Sequence, residues 1–288
     1  MNLIDHIDDG KIPYGTILKR AVIRSVETHL QEDVKAIIGV RGREDFLYPT
    51  ITSLQDAGIT HITIVEYAHE LQHEHTCRWL DVNYVGVKCD ESEMYNRSLA
   101  FNIGAIIAGD CEWLLTHDID CMVQRTFLRN VLLNTLNKNL CAVQTFNKRR
   151  VLYCNEKLSD MLINQPELVN DLSEKSDGVF TCKGKAPGGS IFLSRSLFMS
   201  IGGYDPELFT GYAPEDRMFW DKMSCLCEVG SCDNPVTDIF HLHHQFMGNT
   251  NPKLNEMITM TNHFESLSRQ EKMKIVEYKS KILSRWMS

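Results

Sequence analysis

Apolar residues fall along this chain in two rhythms. Short unbroken runs at residues 35–40 (KAIIGV), 62–65 (ITIV), 82–87 and 112–116 stop at charged or turn residues and predict buried strands. Between them the spacing widens to three and four. Phe46, Leu47, Ile51 and Leu54 share one helical face closed by Gly58, and Leu99, Phe101, Ile103, Ile106 and Ile107 mark a helix over residues 97–108. Strands alternating with helices over the first 145 residues predict an α/β fold, a mostly parallel central sheet flanked by helices. Ligands of such sheets bind beyond the carboxyl ends of the strands. Arg41, Glu66 and Asp118 each stand at such an end and are expected to converge.

The second half is less regular. Residues 147–187 carry few periodic signals and read as a long, partly mobile excursion. Gly188-Gly189-Ser190 opens a strand, IFLS, followed by a short helix to Ile201 and a turn at residues 202–206. Residues 215–223 predict a helix, and an apolar strand at 237–240 runs into His241-Leu242-His243-His244. The end, residues 270–288, is a basic amphipathic helix with Lys272, Lys274, Lys279, Lys281 and Arg285. It reads as a helix packed on the body with a solvated basic face, or as a peripheral contact with an anionic membrane or acidic partner. A helix is also expected near residues 18–30, with no role assigned.

Composition narrows the classes. No run of eighteen apolar residues predicts a transmembrane helix, and residues 1–15 lack the basic start and apolar stretch of a secretory signal, so a cytoplasmic location is expected. A net charge of −8 argues against a nucleic-acid binder held by phosphate contacts. The ten cysteines form no CxxC pair, which speaks against structural zinc and for free thiols.

Three clusters carry candidate chemistry. Asp118-Ile119-Asp120 sets two carboxylates on a turn after a strand, where they suit a divalent cation bridging a nucleotide diphosphate. His241 and His243 project to one side if their segment is a strand, and either imidazole completes a Mn²⁺ or Zn²⁺ site with the acidic pair. Glu215-Asp216 follows an aromatic, glycine-bearing loop and offers a general base, with Tyr212 as a face for a sugar.

Four blocks in order carry a family resemblance across residues 35–255. They are Val40-Arg41-Gly42-Arg43-Glu44, the run from Tyr95-Asn96-Arg97 to Gly104, Asp118-Ile119-Asp120, and the stretch from Gly188-Gly189 through Ile201-Gly202-Gly203-Tyr204 to Glu215-Asp216. Together they resemble the β-1,4-galactosyltransferase family and its chondroitin-polymerase-like relatives, which have the GT-A fold. The resemblance implies transfer of galactose or N-acetylgalactosamine from a UDP-sugar to a hydroxyl of an oligosaccharide or glycoconjugate, with inversion and with Mn²⁺ or Mg²⁺. It implies Asp216 as base and Glu215 as the acceptor-positioning acid. Arg41, Arg43 and Arg97 would approach UDP, Asp120 would bind the metal with Asp118 in support, and Gly189, beside Gly188, would lie against the donor sugar. Three departures stand out. The family's tryptophan loop reads Thr210-Gly211-Tyr212-Ala213-Pro214 here. Its metal-binding histidine aligns with His241 or, shifted, His243; the first choice sets Asp238 at the family's methionine ligand. Ala186 aligns with the aromatic residue that limits the sugar's C2 substituent, implying room for an N-acetyl group.

The expected organisation is an N-terminal extension at 1–34, a catalytic domain at 35–255 with a donor half to 145 and an acceptor half after it, and a helical tail at 256–288. The alternatives are a retaining GT-A enzyme using another nucleotide-sugar, a metal-dependent nucleotidyltransferase, and a noncatalytic nucleotide- or glycan-binding module.

Overall fold

Buried β-branched runs build the central sheet. A computed structural model describes residues 33–147, 150–183, 188–232, 234–245 and 251–286. The expected helix at 18–30 and Ala186 lie outside them. The first strands are β1 (Val34–Val40), β2 (His61–Ala68), β3 (Asn83–Lys88) and β4 (Trp113–Asp118), all parallel where they pair. The sheet is completed by β6 (Ala142–Gln144), β9 (Ser190–Ser194) and β10 (Val229–Ser231), in the order β10-β6-β9-β4-β1-β2-β3. Only β9 runs against its neighbours β4 and β6. Helices cover the sheet: α1 (Glu44–Asp56), α2 (Glu74–Trp79), α3 (Arg97–Ile107) and α4 (Phe127–Asn137).

The excursion is not patternless. Residues 147–187 contain β7 (Arg150–Cys154), α5 (Glu156–Asn164), a 3-10 turn and β8 (Val179–Lys183). With β5 (Cys121–Met122) and β11 (Phe240–His241) these strands form a second sheet in the order β5-β11-β7-β8. Five-residue strands bracketing a short helix leave too few repeats for periodicity to register, which is why the sequence hid them.

Two features tie the halves together. Asn96 caps α3 by accepting from Leu99 N at 2.9 Å and also donates to Pro206 O at 2.9 Å. Asn102, on the same helix, accepts from Tyr204 N at 2.8 Å and donates to Tyr204 O at 3.0 Å. The turn before α7 (Glu215–Leu226) is thereby fastened to the helix that follows β3.

The last helices, α8 (Leu254–Ser266) and α9 (Arg269–Arg285), belong to the body. Val276 and Leu283 of α9 share a core with Phe198 of α6 (Arg195–Ser200), Tyr204 and Phe219. Lys272 pairs with Asp221 at 2.7 Å, and Lys279 pairs with Asp205 and Glu207. Arg269 donates to Cys225 O at 3.0 Å, so at least three of the six cations on this helix are engaged inside the fold, in agreement with the packed reading rather than the membrane one. Among the described residues no helix is long and apolar enough to cross a membrane.

Candidate active site

The Asp118–Asp120 turn is held from three sides. Asp118 N donates to Gly189 O at 2.8 Å, the Thr50 hydroxyl of α1 donates to Ile119 O at 2.6 Å, and Leu242 N donates to Asp120 O at 2.8 Å. Ser53, one turn further along α1, accepts from Val123 N at 3.2 Å. Thr50 and Ser53 sit on the buried face of α1, where a polar group must find a partner; they find the turn. The apolar stripe masked both residues at the sequence level.

So held, the two carboxylates part. Asp120 turns toward the end of β11, where His241 Nε2 lies 3.6 Å from Oδ1 and His244 Nε2 lies 3.1 Å from Oδ2. One ligand atom from each of these three residues falls within 4.8 Å of the others. His241 Nδ1 lies 2.9 Å from Leu242 O, and His244 Nδ1 lies 2.9 Å from Gln245 O. A ring nitrogen facing a carbonyl carries the proton, which leaves each Nε2 with a bare lone pair toward Asp120. The Arg43 guanidinium, 3.5 Å from His244 Nδ1, is the longer contact and does not decide the tautomer. With its proton on Nδ1, His244 Nε2 is buried and donates to nothing, including Asp120 Oδ2 beside it, an arrangement that a metal ion between them would satisfy. Burial, reinforced by His244, pulls His241 down to about 4, and burial lowers His244 as well; both rings are neutral at pH 7, the form that ligates. Two imidazoles and a carboxylate suit Mn²⁺ and its first-row neighbours.

This grouping shares Asp120 and His241 with the expected ligand set. His243 is exposed, its N–H donates to Ser159 Oγ at 2.7 Å, and it stands outside the cluster. The reason is that β11 ends at His241, so the two-residue alternation that would align His243 does not continue. The next imidazole on that side is His244, three residues on. Asp118 also lies outside the cluster, because Arg97 holds it.

Arg97 opens α3 and gathers three carboxylates. It contacts Asp118 Oδ1 at 2.7 Å, Asp216 Oδ1 at 2.7 Å and Glu215 Oε1 at 3.2 Å. Phe101, one turn on, lies under the guanidinium at 4.5 Å. Although burial opposes its charge, Asp118 and Asp216 hold the Arg97 pKa above its ordinary value. Burial, then repulsion from Asp216, pushes Glu215 up to about 8 against the pull of Arg97. Burial raises Asp216 too, with Arg97 opposing and Asp118 adding. The Tyr204 hydroxyl approaches Asp216 Oδ1 at 3.4 Å, and its ring stacks on Phe219 at 3.8 Å. Gly188 is glycine for a local reason: a Cβ there would come within 1.8 Å of Asp216 Oδ2. Gly189 adopts φ +92, which favours glycine, and supplies the carbonyl that fixes Asp118.

The remaining expected residues lie around this centre. Arg43, itself left-handed at φ 63, donates to Asp120 Oδ2 and so belongs to the metal-side cluster. Arg41 turns away and donates to Glu93 O at 2.5 Å. Glu66 and Asp118 stand at the same end of the sheet on either side of β1, in register with Val40 and Gly39. The buried Glu66 carboxylate accepts from Gln72 N, His73 N and Tyr84 Oη at 3.0, 3.1 and 2.6 Å, bracing the loop after β2. His73 in turn contacts Gly42 O at 3.1 Å, so Glu66 supports the Arg41–Arg43 loop indirectly. Tyr212 is exposed on its loop, whose carbonyls at Thr210 and Tyr212 accept from Asn251 Nδ2 at 2.7 and 2.8 Å.

This fold is that of the GT-A glycosyltransferases. Solved structures of glucosyl-3-phosphoglycerate synthase from Mycobacterium tuberculosis share it. One, in complex with Mn²⁺, UDP-glucose and phosphoglyceric acid, matches at a TM-score of 0.53 with 12% identity over 83% of this chain and 82% of that one. Another, with phosphoglyceric acid alone, matches at 0.51 with 11% identity over 82% of each chain. No protein-family model and no curated protein matches the chain.

Proposed function

We propose that this protein is a Mn²⁺-dependent glycosyltransferase that moves a sugar from a UDP-sugar to a hydroxyl acceptor with inversion at the anomeric carbon. One observation carries the reading. Arg97 holds Asp118 and Asp216 together, while the neighbouring carboxylate, Asp120, faces two imidazoles with bare Nε2 atoms. A donor-phosphate site and a candidate base therefore share one rim of the sheet.

In this reading Asp120, His241 and His244 hold the metal. When bound there, a divalent ion would supply positive charge to the departing diphosphate. Arg43 and Arg97 direct donors at phosphate oxygens. Asp216, its pKa raised by burial, takes the proton of the acceptor hydroxyl as that oxygen attacks C1 and UDP departs. Glu215 positions the acceptor, and Gly188 and Gly189 leave room for the donor sugar. Residues 35–145 form the donor half and 146–255 the acceptor half. The family resemblance supports galactose or N-acetylgalactosamine as the transferred sugar.

The test is UDP release with Mn²⁺ and a panel of UDP-galactose, UDP-N-acetylgalactosamine and UDP-glucose, with glycans and phosphorylated small acids as acceptors, followed by product anomeric configuration. Asp216→Asn is expected to retain UDP binding and lower turnover roughly 10²- to 10⁴-fold. A product that keeps the donor's configuration would reject the inverting step.

A further inference from the structure

The small sheet carries a row of rings that leads away from the metal cluster. His241 pairs in register with Tyr153 on one side and Cys121 on the other, and Tyr153 pairs with Phe180. The order across the sheet is Cys121, His241, Tyr153, Phe180. Side chains directly opposite one another share a face. The Tyr153 ring lies 4.6 Å from that of His241, and Phe180 stacks on Tyr153 at 5.7 Å with planes 20° apart. The row begins beside Asp120, to which the Cys121 thiol donates at 3.6 Å, and ends on β8, the edge strand, where Phe180 is 51% exposed.

A phenylalanine half in water at a sheet edge costs solvation and adds nothing to the core. Held flat against a second ring, it presents a face of fixed orientation. Such a face suits the C–H side of a pyranose, because a sugar ring is apolar on its faces and polar at its rim. The row is continuous with the candidate metal ligand His241, so an occupant of it has one end near the reacting centre. We infer that Phe180 and Tyr153 form an acceptor-side saccharide subsite, on which a pyranose ring of the glycan acceptor stacks while another sugar unit reaches Asp216. This subsite rests on the transferase reading above.

The decisive residue is Phe180, whose exposure makes its replacement mild for folding. Phe180→Ala is expected to raise the acceptor KM roughly threefold to tenfold. It should leave the UDP-sugar KM and Mn²⁺ affinity unchanged. Phe180→Trp, which keeps a flat apolar face, should restore the acceptor KM. Binding is read independently of turnover by saturation-transfer NMR, using methyl glycosides and disaccharides of galactose, N-acetylgalactosamine, glucose and glucuronate on the wild-type and Phe180→Ala proteins. Saccharide binding that depends on Phe180 without any UDP release keeps a saccharide site at the row but sinks both the transferase reading and the row's acceptor role. UDP-sugar turnover with an acceptor KM indifferent to Phe180 sinks the subsite alone. A shift in the UDP-sugar KM instead assigns the row to the nucleotide and also overturns the subsite. Neither saccharide binding nor UDP release overturns both.

Discussion

Glu215 and Asp216 differ by one methylene and one position, yet both meet the same guanidinium, and their charges compete for it. The consequence for Glu215 is visible in its pKa, pushed to about 8 by burial and by Asp216. A carboxyl raised on folding stabilises the native state below its unfolded value and loses that contribution as pH rises through the folded one. Stability should therefore fall between about pH 5 and pH 8 through this group. Glu215→Gln is expected to match the wild type near pH 5 and exceed it at pH 9, by on the order of 1–2 kcal/mol in urea melts. A wild type with flat stability over that range would contradict the assignment. The histidines offer a second contrast at this scale. His241→Ala and His244→Ala should each weaken Mn²⁺ binding strongly, whereas His243→Ala should leave it within about twofold, measured by calorimetry; each lost ligand removes a pre-oriented lone pair.

At the scale of elements, helices and strands had to arrive at fixed distances from one another, and glycine marks the tightest approach. The β9 entry passes so close to the start of α7 that a methyl at residue 188 would occupy the place of Asp216 Oδ2. Gly188→Ala should displace that carboxylate and lower turnover about a hundredfold with little change in melting temperature, since the strand beyond is untouched. A variant with wild-type turnover would show that Asp216 has no fixed role. Elements were also where the sequence spoke most clearly. The strand runs at 35–40 and 112–116 lie buried where the pattern set them, and the helix from Arg97 forms as expected. Its buried face, however, is built from Ala100, Phe101, Gly104 and Ala105, while Ile107 of the expected apolar stripe is exposed. The hairpin of β7 and β8 was illegible because its strands are short and separated by a helix. His243 stands outside the grouping for a similar reason: a strand of two residues cannot sustain an alternation read from four.

Across the whole molecule, the Asp118–Asp120 turn and the Glu215–Asp216 pair lie about a hundred residues apart in sequence. That both are acidic clusters at element ends was legible. That Arg97 would join them was not, because an arginine opening a helix looks like any solvated cation until the partner loops fold back. Glu66 taught the reverse lesson: a carboxylate at a strand end satisfied by two backbone amides and a phenol braces a loop and has little capacity left for a ligand. The boundary drawn before the last helices also hides their role, since Lys279 of α9 reaches Asp205 in the turn ahead of α7.

The candidate metal cluster spans both sheets: Asp120 follows β4, the central strand of the large one, while His241 ends β11 of the small one and His244 lies just beyond it, so the unfolded chain holds no preformed chelate. Occupancy and foldedness are then two readings of a single equilibrium. Titrating Mn²⁺ to a hundred times its dissociation constant should add about 2.7 kcal/mol to the native state and raise the melting point by several degrees. Chelation with EDTA should return it to its starting value, and His244→Ala should blunt the response. In an organism short of manganese, such a protein would lose thermal resistance in step with its activity.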